Sequence, residues 1–168
     1  MLKIKTVKGT KDLLGDEIRF HELVKKKFEV ICKSFNFEHI STPILEHTDV
    51  FTKSLGDSSD IVSKEMYNFK DQGDDELVLR PEGTASVARA LVNNSLEQNV
   101  NTKFYYYGPM FRRERPQSGR LRQFHQVGVE YFGKFNVLSD LEVIILAERF
   151  LEKIGIRSKL ELQINSLG

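Results

Sequence analysis

The sequence has almost no net charge, a single cysteine and no long apolar run. Its 168 residues carry 25 Lys and Arg against 24 Asp and Glu, a formal net charge of +1. That balance argues against a bulk electrostatic binder of nucleic acid or membrane, so any polyanion site has to be local. A lone Cys32 excludes an internal disulfide, and a reducing, cytoplasmic setting is the expectation. Cys32 falls on the apolar stripe of a helix and reads as a small buried hydrophobe. No apolar stretch approaches the roughly 20 residues of a membrane-spanning helix. The N-terminal MLKIKTVKGTK lacks the apolar core of a signal peptide, so no membrane partner is expected. Neither a Walker A loop nor GxGxxG occurs, so a phosphate site here is not a glycine loop feeding a helix N-terminus. There is no CxxC, and His21, His39, His47 and His125 have no ligand spacing, so no metal centre is expected. A GxSxG elbow, internal repeats and low-complexity segments are absent as well.

What is present is a globular composition, 40% hydrophobic and 29% charged, enough for a core in one domain or at most two small ones. Phe20, Val24, Phe28, Cys32 and Phe35 recur at helical spacing and predict a helix over 16–35, with Asp16 as its cap. FEHIST at 37–42 suits a strand that Pro43 stops or confines to an edge. A short helix over 48–55 ends at Gly56, and 57–65 reads as loop. MYNF at 66–69 and ELVLR at 76–80 read as two strands. Thr84 caps a helix to about 96, with Ala88, Leu91 and Val92 inward. Strands over 102–112 and 121–132 flank a polar loop at 113–120. Ser139 and Glu142 form a capping box for a helix to about 154, and KLELQIN at 159–165 is a last strand. Closely spaced strand pairs favour an α+β fold with an antiparallel or mixed sheet and packed helices.

The densest chemistry lies between Phe104 and Tyr131. Arg112, Arg113, Arg115, Arg120 and Arg122 fall within eleven residues, opposed only by Glu114. Guanidinium forks match phosphate oxygens; a solvated charged hairpin is the simpler reading of the same loop. Strand alternation puts Phe124, Gln126, Gly128 and Glu130 on one face. A buried core face does not normally carry an amide and a carboxylate, and Gly128 leaves room for a ligand, although a wet face with a bulge gives the same pattern. The opposite face, with His125, Val127, Val129 and Tyr131, can pack on helices, and His125 reads as structural. RPEGT at 80–84 sets Glu82 at a strand-to-helix corner, where it either accepts an ammonium or simply favours the helix dipole.

KGTKD at 8–12, TPILE at 42–46, KEMYNFKD at 64–71, LRPEGT at 79–84, YGPMFRRERPQSGRLRQFHQVGVE at 107–130 and the closing INSLG together resemble the N-terminal catalytic region of the histidyl-tRNA synthetases. The string from Phe111 to Glu114 is the F-R-x-E signature of class II aminoacyl-tRNA synthetases. The resemblance implies the class II catalytic fold, an antiparallel sheet flanked by helices, with residues 1–168 forming its N-terminal part. The helix over 16–35 and the strand to Pro43 would then form a homodimer interface.

The implied reaction joins histidine to ATP as an adenylate and transfers histidine to tRNA(His), with Mg²⁺ bridging the phosphates. Glu82, Gly83, Thr84, Gln126 and Glu130 would bind histidine. Arg112 would be the catalytic residue and bind the α-phosphate, Glu114 and Phe124 the adenine side, and Arg120 the outer phosphates. Arg115 and Gln117 would lie where the tRNA acceptor end arrives. The family's second histidine motif, its third class II signature and its anticodon-binding domain do not occur in these residues, so the 168 residues alone are expected to have little or no aminoacylation activity. Two other readings use the same residues: a histidine-sensing regulatory paralogue that partners ATP phosphoribosyltransferase, and a noncatalytic RNA-binding fragment.

Overall fold

A computed structural model of the chain describes residues 4–56, 58–98, 101–115, 117–133 and 136–165. Among these residues, two three-stranded sheets carry four α-helices. The first sheet has the order β1 (Glu38–His39), β5 (Thr102–Phe111), β6 (Gln123–Phe132). β5 and β6 pair antiparallel over ten residues, from Thr102 opposite Phe132 to Phe111 opposite Gln123. β1 runs parallel to β5, so this sheet is mixed. The second sheet is antiparallel, with β4 (Glu76–Leu79) between β2 (Leu45–His47) and β3 (Tyr67–Lys70). The α+β architecture is the one the sequence predicts.

Alternation along β5 and β6 gives the first sheet two different faces. On one, Tyr105, Val127, Val129 and Tyr131 meet α1 (Asp16–Ser34) and α4 (Val137–Lys153) through Phe28, Cys32, Leu146 and Phe150. On the other, Phe104, Tyr106, Met110 and Phe124 meet Val87 and Leu91 of α3 (Thr84–Asn93). A third cluster of Phe51, Met66, Val78 and Ala85 joins the second sheet to α3 and to α2 (Asp49–Leu55). Cys32 is fully buried, and burial pushes its thiol up to about 12, which makes it an unreactive packing residue.

Several local expectations are corrected. α4 begins two residues before the predicted capping box, because the Asn136 side chain accepts from Leu138 N at 3.0 Å. Thr84 does not cap α3. It is the first helical residue, and Glu82 supplies the acceptors: its Oε2 takes Thr84 N at 2.7 Å and its Oε1 takes Ala85 N at 2.8 Å. A residue with two carboxylate oxygens satisfies two helix-terminal donors where a hydroxyl satisfies one. The inward face of α3 is Ala85, Val87, Ala90 and Leu91, while Val92 is exposed. Asp16 opens α1 without a side-chain cap, and Phe20 is exposed rather than on the buried stripe.

Residues 61–65, read as loop, form a single π-helical turn. The predicted strand at 37–42 shortens to two residues, and β2 goes unanticipated in a stretch too short for periodicity. Residues 159–165 form no strand in the described part of the chain. Leu160 and Leu162 instead border a hollow against Val143, Ala147 and Leu151 of α4: the alternating apolar residues find a helix flank, not a sheet edge.

Leu146 is 1% exposed at the centre of the α1–α4 cluster. Leu146→Ala should lower unfolding free energy by about 2–5 kcal/mol, and Asn136→Ala by about 1 kcal/mol through the lost cap. Urea titration of both variants measures this; similar losses for the two would contradict the packing described.

Candidate active site

The β5–β6 register places Phe124, Gln126, Gly128 and Glu130 directly opposite Met110, Gly108, Tyr106 and Phe104. Opposed residues in an antiparallel pair share a face, so the expected grouping forms. The space above Gly128 is a correction, because it is filled by protein. The Tyr106 ring crosses it, and a methyl group on Gly128 would collide with that ring. Gly83, at the N-terminus of α3, has the same relation to the ring from the other side. Tyr106 is thus gripped between two glycines. Gly108 makes a second notch, filled by the guanidinium of Arg80. Sequence reasoning missed both large side chains. The available signal was Gly128 on the predicted ligand face; Gly108 joins that face only through the observed strand register.

Two hydroxyls converge on one carboxylate. Thr84 Oγ1 donates to Glu130 Oε1 at 2.8 Å, and the Tyr106 hydroxyl donates to the same oxygen at 3.4 Å. Burial raises the Glu130 carboxyl above the usual carboxylate range; the Glu82 charge adds to this, and the two hydroxyls oppose it. Burial and the Glu130 charge likewise push the Tyr106 hydroxyl upward, so it stays a donor. Glu82 is buried, with both oxygens on the start of α3, and each oxygen keeps a further lone pair. Gln126 Oε1 is buried with no partner among the described residues.

The arginines do not converge on one point. Arg112 Nε donates to Pro81 O at 2.9 Å, and its guanidinium lies 5.4 Å from the centre of the Phe124 ring. This cation covers one face of the aromatic that sequence reasoning offered to a base. Arg120 pairs with Glu114 at 3.1 Å. Arg122 Nε donates to Glu114 O at 3.2 Å, and its backbone N donates to Gly9 O at 2.7 Å. Arg113 holds the π-helical turn through Glu65 O at 2.7 Å and Lys64 O at 3.3 Å. Arg115 and Gln117 are exposed and border a hollow of about 430 Å³ with Lys64, Arg113, Glu114 and Arg120. Four of the five like charges, Arg112, Arg113, Arg120 and Arg122, are thus held apart on different carbonyls and one carboxylate.

His125 lies on the opposite face of the sheet, stacked on Tyr107 at 5.3 Å and edge-on to His21 at 5.0 Å. Burial lowers its pKa, and the sheet separates it from Glu130. No group of three or more His, Cys, Asp or Glu side chains among the described residues is placed to hold a metal ion. None of the described helices is long and apolar enough to cross a membrane.

Thus one sheet face, capped by the start of α3, carries an acceptor-rich end at Glu82, Gln126 and Glu130 and a cationic end at Arg112. That arrangement suits a small zwitterion joined to a phosphate ester. The histidyl-tRNA synthetase family profile matches residues 9–168. The histidine–tRNA ligase of Rhodospirillum rubrum is 52% identical over all of this chain and 40% of its own length. Among solved structures, apo S. aureus histidyl-tRNA synthetase superposes with a TM-score of 0.76 at 35% identity, over 91% of this chain and 35% of that one. A Bacillus halodurans structure described as an ATP phosphoribosyltransferase regulatory subunit/histidyl-tRNA synthetase gives 0.77 at 25% identity, over 92% and 40%. The chain spans about 40% of the length of the curated relatives it matches. With the profile covering nearly every residue and relatives about half identical over the whole chain, the chain belongs to the histidyl-tRNA synthetase family.

Proposed function

We propose that these residues form part of a cytoplasmic histidine–tRNA ligase that activates histidine with ATP and transfers it to tRNA(His). The observation that carries this reading is the buried Gln126 Oε1, without a partner among the described residues, on the same strand face as a Glu130 whose Oε1 is held by two hydroxyls. An unmatched buried acceptor costs about 1–3 kcal/mol, and a ligand donor relieves it. With Oε1 fixed, Glu130 presents Oε2 to an imidazole N–H. Side chains lacking that donor leave the buried oxygen unpaired and are rejected. Glu82, Gly83, Thr84 and Gln126 border the ammonium end.

The second half of the reading lies at Arg112. A histidine carboxylate oxygen attacks the α-phosphorus of ATP, the new O–P bond forms as the bond to pyrophosphate breaks, and pyrophosphate leaves. Arg112, held by Pro81 O, meets the charge that builds on the α-phosphate without reorganising. Glu114 and Phe124 would face the adenine and Arg120 the outer phosphates. Mg²⁺ would be held by the ATP phosphates rather than by an all-protein cage and would offset their negative charge. A ribose hydroxyl of tRNA(His), brought in past Arg115 and Gln117, then attacks the histidyl carbonyl and AMP leaves. Apolar side chains left exposed on α1, among them Phe20, Leu23 and Val30, support a homodimer through that helix. A histidine-sensing regulator would use the Glu130 end and leave Arg112 without a role.

In the protein as its gene encodes it, Arg112→Ala should slow histidine-dependent ATP–pyrophosphate exchange by about 100- to 1,000-fold, with histidine affinity nearly kept. Unchanged exchange, or histidine binding with no ATP binding by titration calorimetry, would favour the regulator.

Glu130→Gln should weaken histidine discrimination and have a second, opposite effect on stability. Because burial raises the Glu130 pKa in the folded state, the folded protein holds its proton to higher pH than the unfolded chain. Stability is therefore lost as pH rises from the ordinary carboxylate value through the folded one. The variant removes that loss, so its melting temperature should exceed wild type at pH 8 and converge with it near pH 4. A gap independent of pH would contradict the burial argument.

A further inference from the structure

Arg80 is 6% exposed, and every hydrogen bond it makes among the described residues is to an uncharged group. Nε donates to Pro109 O at 3.0 Å, and Nη1 donates to Thr42 O at 2.8 Å, Thr42 Oγ1 at 3.1 Å and Pro43 O at 3.5 Å. Its backbone is committed too: N donates to Ile44 O and O accepts from Phe111 N, each at 3.0 Å. One residue thus ties the segment 42–44 to the end of β5. The notch that admits its guanidinium exists only because residue 108 is glycine.

A buried guanidinium is costly to desolvate, and burial lowers even this arginine's pKa, with Glu46 opposing the shift from a distance. A lysine or a neutral chain would fill part of the space more cheaply but not reproduce the planar fork. The next residue explains what the fork achieves. Pro81 O is the acceptor that holds Arg112 Nε at 2.9 Å. Arg112 follows Phe111, whose backbone N is held by Arg80 O. Arg80 therefore fixes both ends of the Arg112 anchor: the carbonyl that receives its side chain and the strand that delivers it.

We infer that Arg80, with Gly108 as the notch that admits it, is a positioning residue for Arg112 and couples the Thr42–Pro43 segment to the adenylation centre. It touches no substrate and acts only through Arg112. The inference rests on the functional reading above for its effect on rate, but not for the coupling itself.

The coupling is tested by hydrogen exchange at arginine Nε, followed by NMR in ¹⁵N-labelled protein, with the Arg112 signal assigned by its loss in Arg112→Lys. Arg122 Nε, bonded to Glu114 O, is the internal control. Arg80→Lys should speed exchange at Arg112 Nε by about tenfold or more and leave Arg122 Nε unchanged. Thr42→Val, a milder change that removes one acceptor, should speed it about threefold, as loss of a typical hydrogen bond predicts. Unchanged exchange at Arg112, or equal acceleration at both arginines, overturns the proposal, since general loosening moves both. In ATP–pyrophosphate exchange, Arg80→Lys should lower kcat about 100-fold, the scale of a misplacement of roughly 1 Å, with the histidine KM within about threefold. Arg89→Lys, which disturbs a different, partly buried arginine that pairs with Glu46, should lower the melting temperature and leave kcat unchanged. Selective loosening of Arg112 with kcat at the wild-type level supports the coupling and overturns the functional reading of Arg112.

Discussion

The ten-pair register between β5 and β6 decides which chemistry meets which side of the molecule. A slip of one residue would turn Phe124, Gln126 and Glu130 toward α1 and α4, and His125, Val127 and Tyr131 toward α3. Both faces resist this. Val127, Val129 and Tyr131 are committed to the Phe28–Leu146–Phe150 cluster, and Phe124 to the Val87–Met110 cluster. One notch adds a second lock, because the Tyr106 ring of β5 lies across Gly128 of β6. With β6 slipped by one residue, that ring would meet a Cβ.

Given that register, the site sits where the fold carries its unfavourable groups. Gln126 Oε1 lacks a partner among the described residues, partial burial raises the Glu130 carboxyl above the usual carboxylate range, and Arg80 is a buried cation bonded to neutral carbonyls. Each costs free energy that an apolar replacement would not. Such groups cluster on one face of one sheet, while the opposite face is ordinary core with a fully buried Cys32 and Leu146 at 1% exposure. That asymmetry separates a binding face from a packing face.

Much of this was legible in the residues. Period-2 alternation identified the Phe124–Glu130 face and the helix-packing role of Val127 and Val129, and the turn residues located the hairpin. What was not legible involves side chains that cross between elements. Gly128 announced space, but only the cross-strand pairing with Tyr106 shows what fills it. Arg80 reads as an ordinary strand residue, since its partners Thr42 and Pro109 lie 38 and 29 residues away. The capping of α3 by Glu82 instead of Thr84 turned on which oxygen reaches two amides, which spacing leaves open. The arginines invited a single anion site, and the structure separates four of them, because carbonyls and Glu114 hold Arg112, Arg113, Arg120 and Arg122 at different places.

Recognition of an imidazole through Glu130 and of an ammonium beside Gln126 is tested most directly by a crystal structure of the protein with histidine bound. The expected result is an imidazole nitrogen within hydrogen-bond distance of Glu130 Oε2, with Thr84 and Tyr106 still on Oε1 and a ligand donor on Gln126 Oε1. Histidine bound elsewhere, or bound with Gln126 Oε1 still unpaired and Glu130 out of reach, would contradict it.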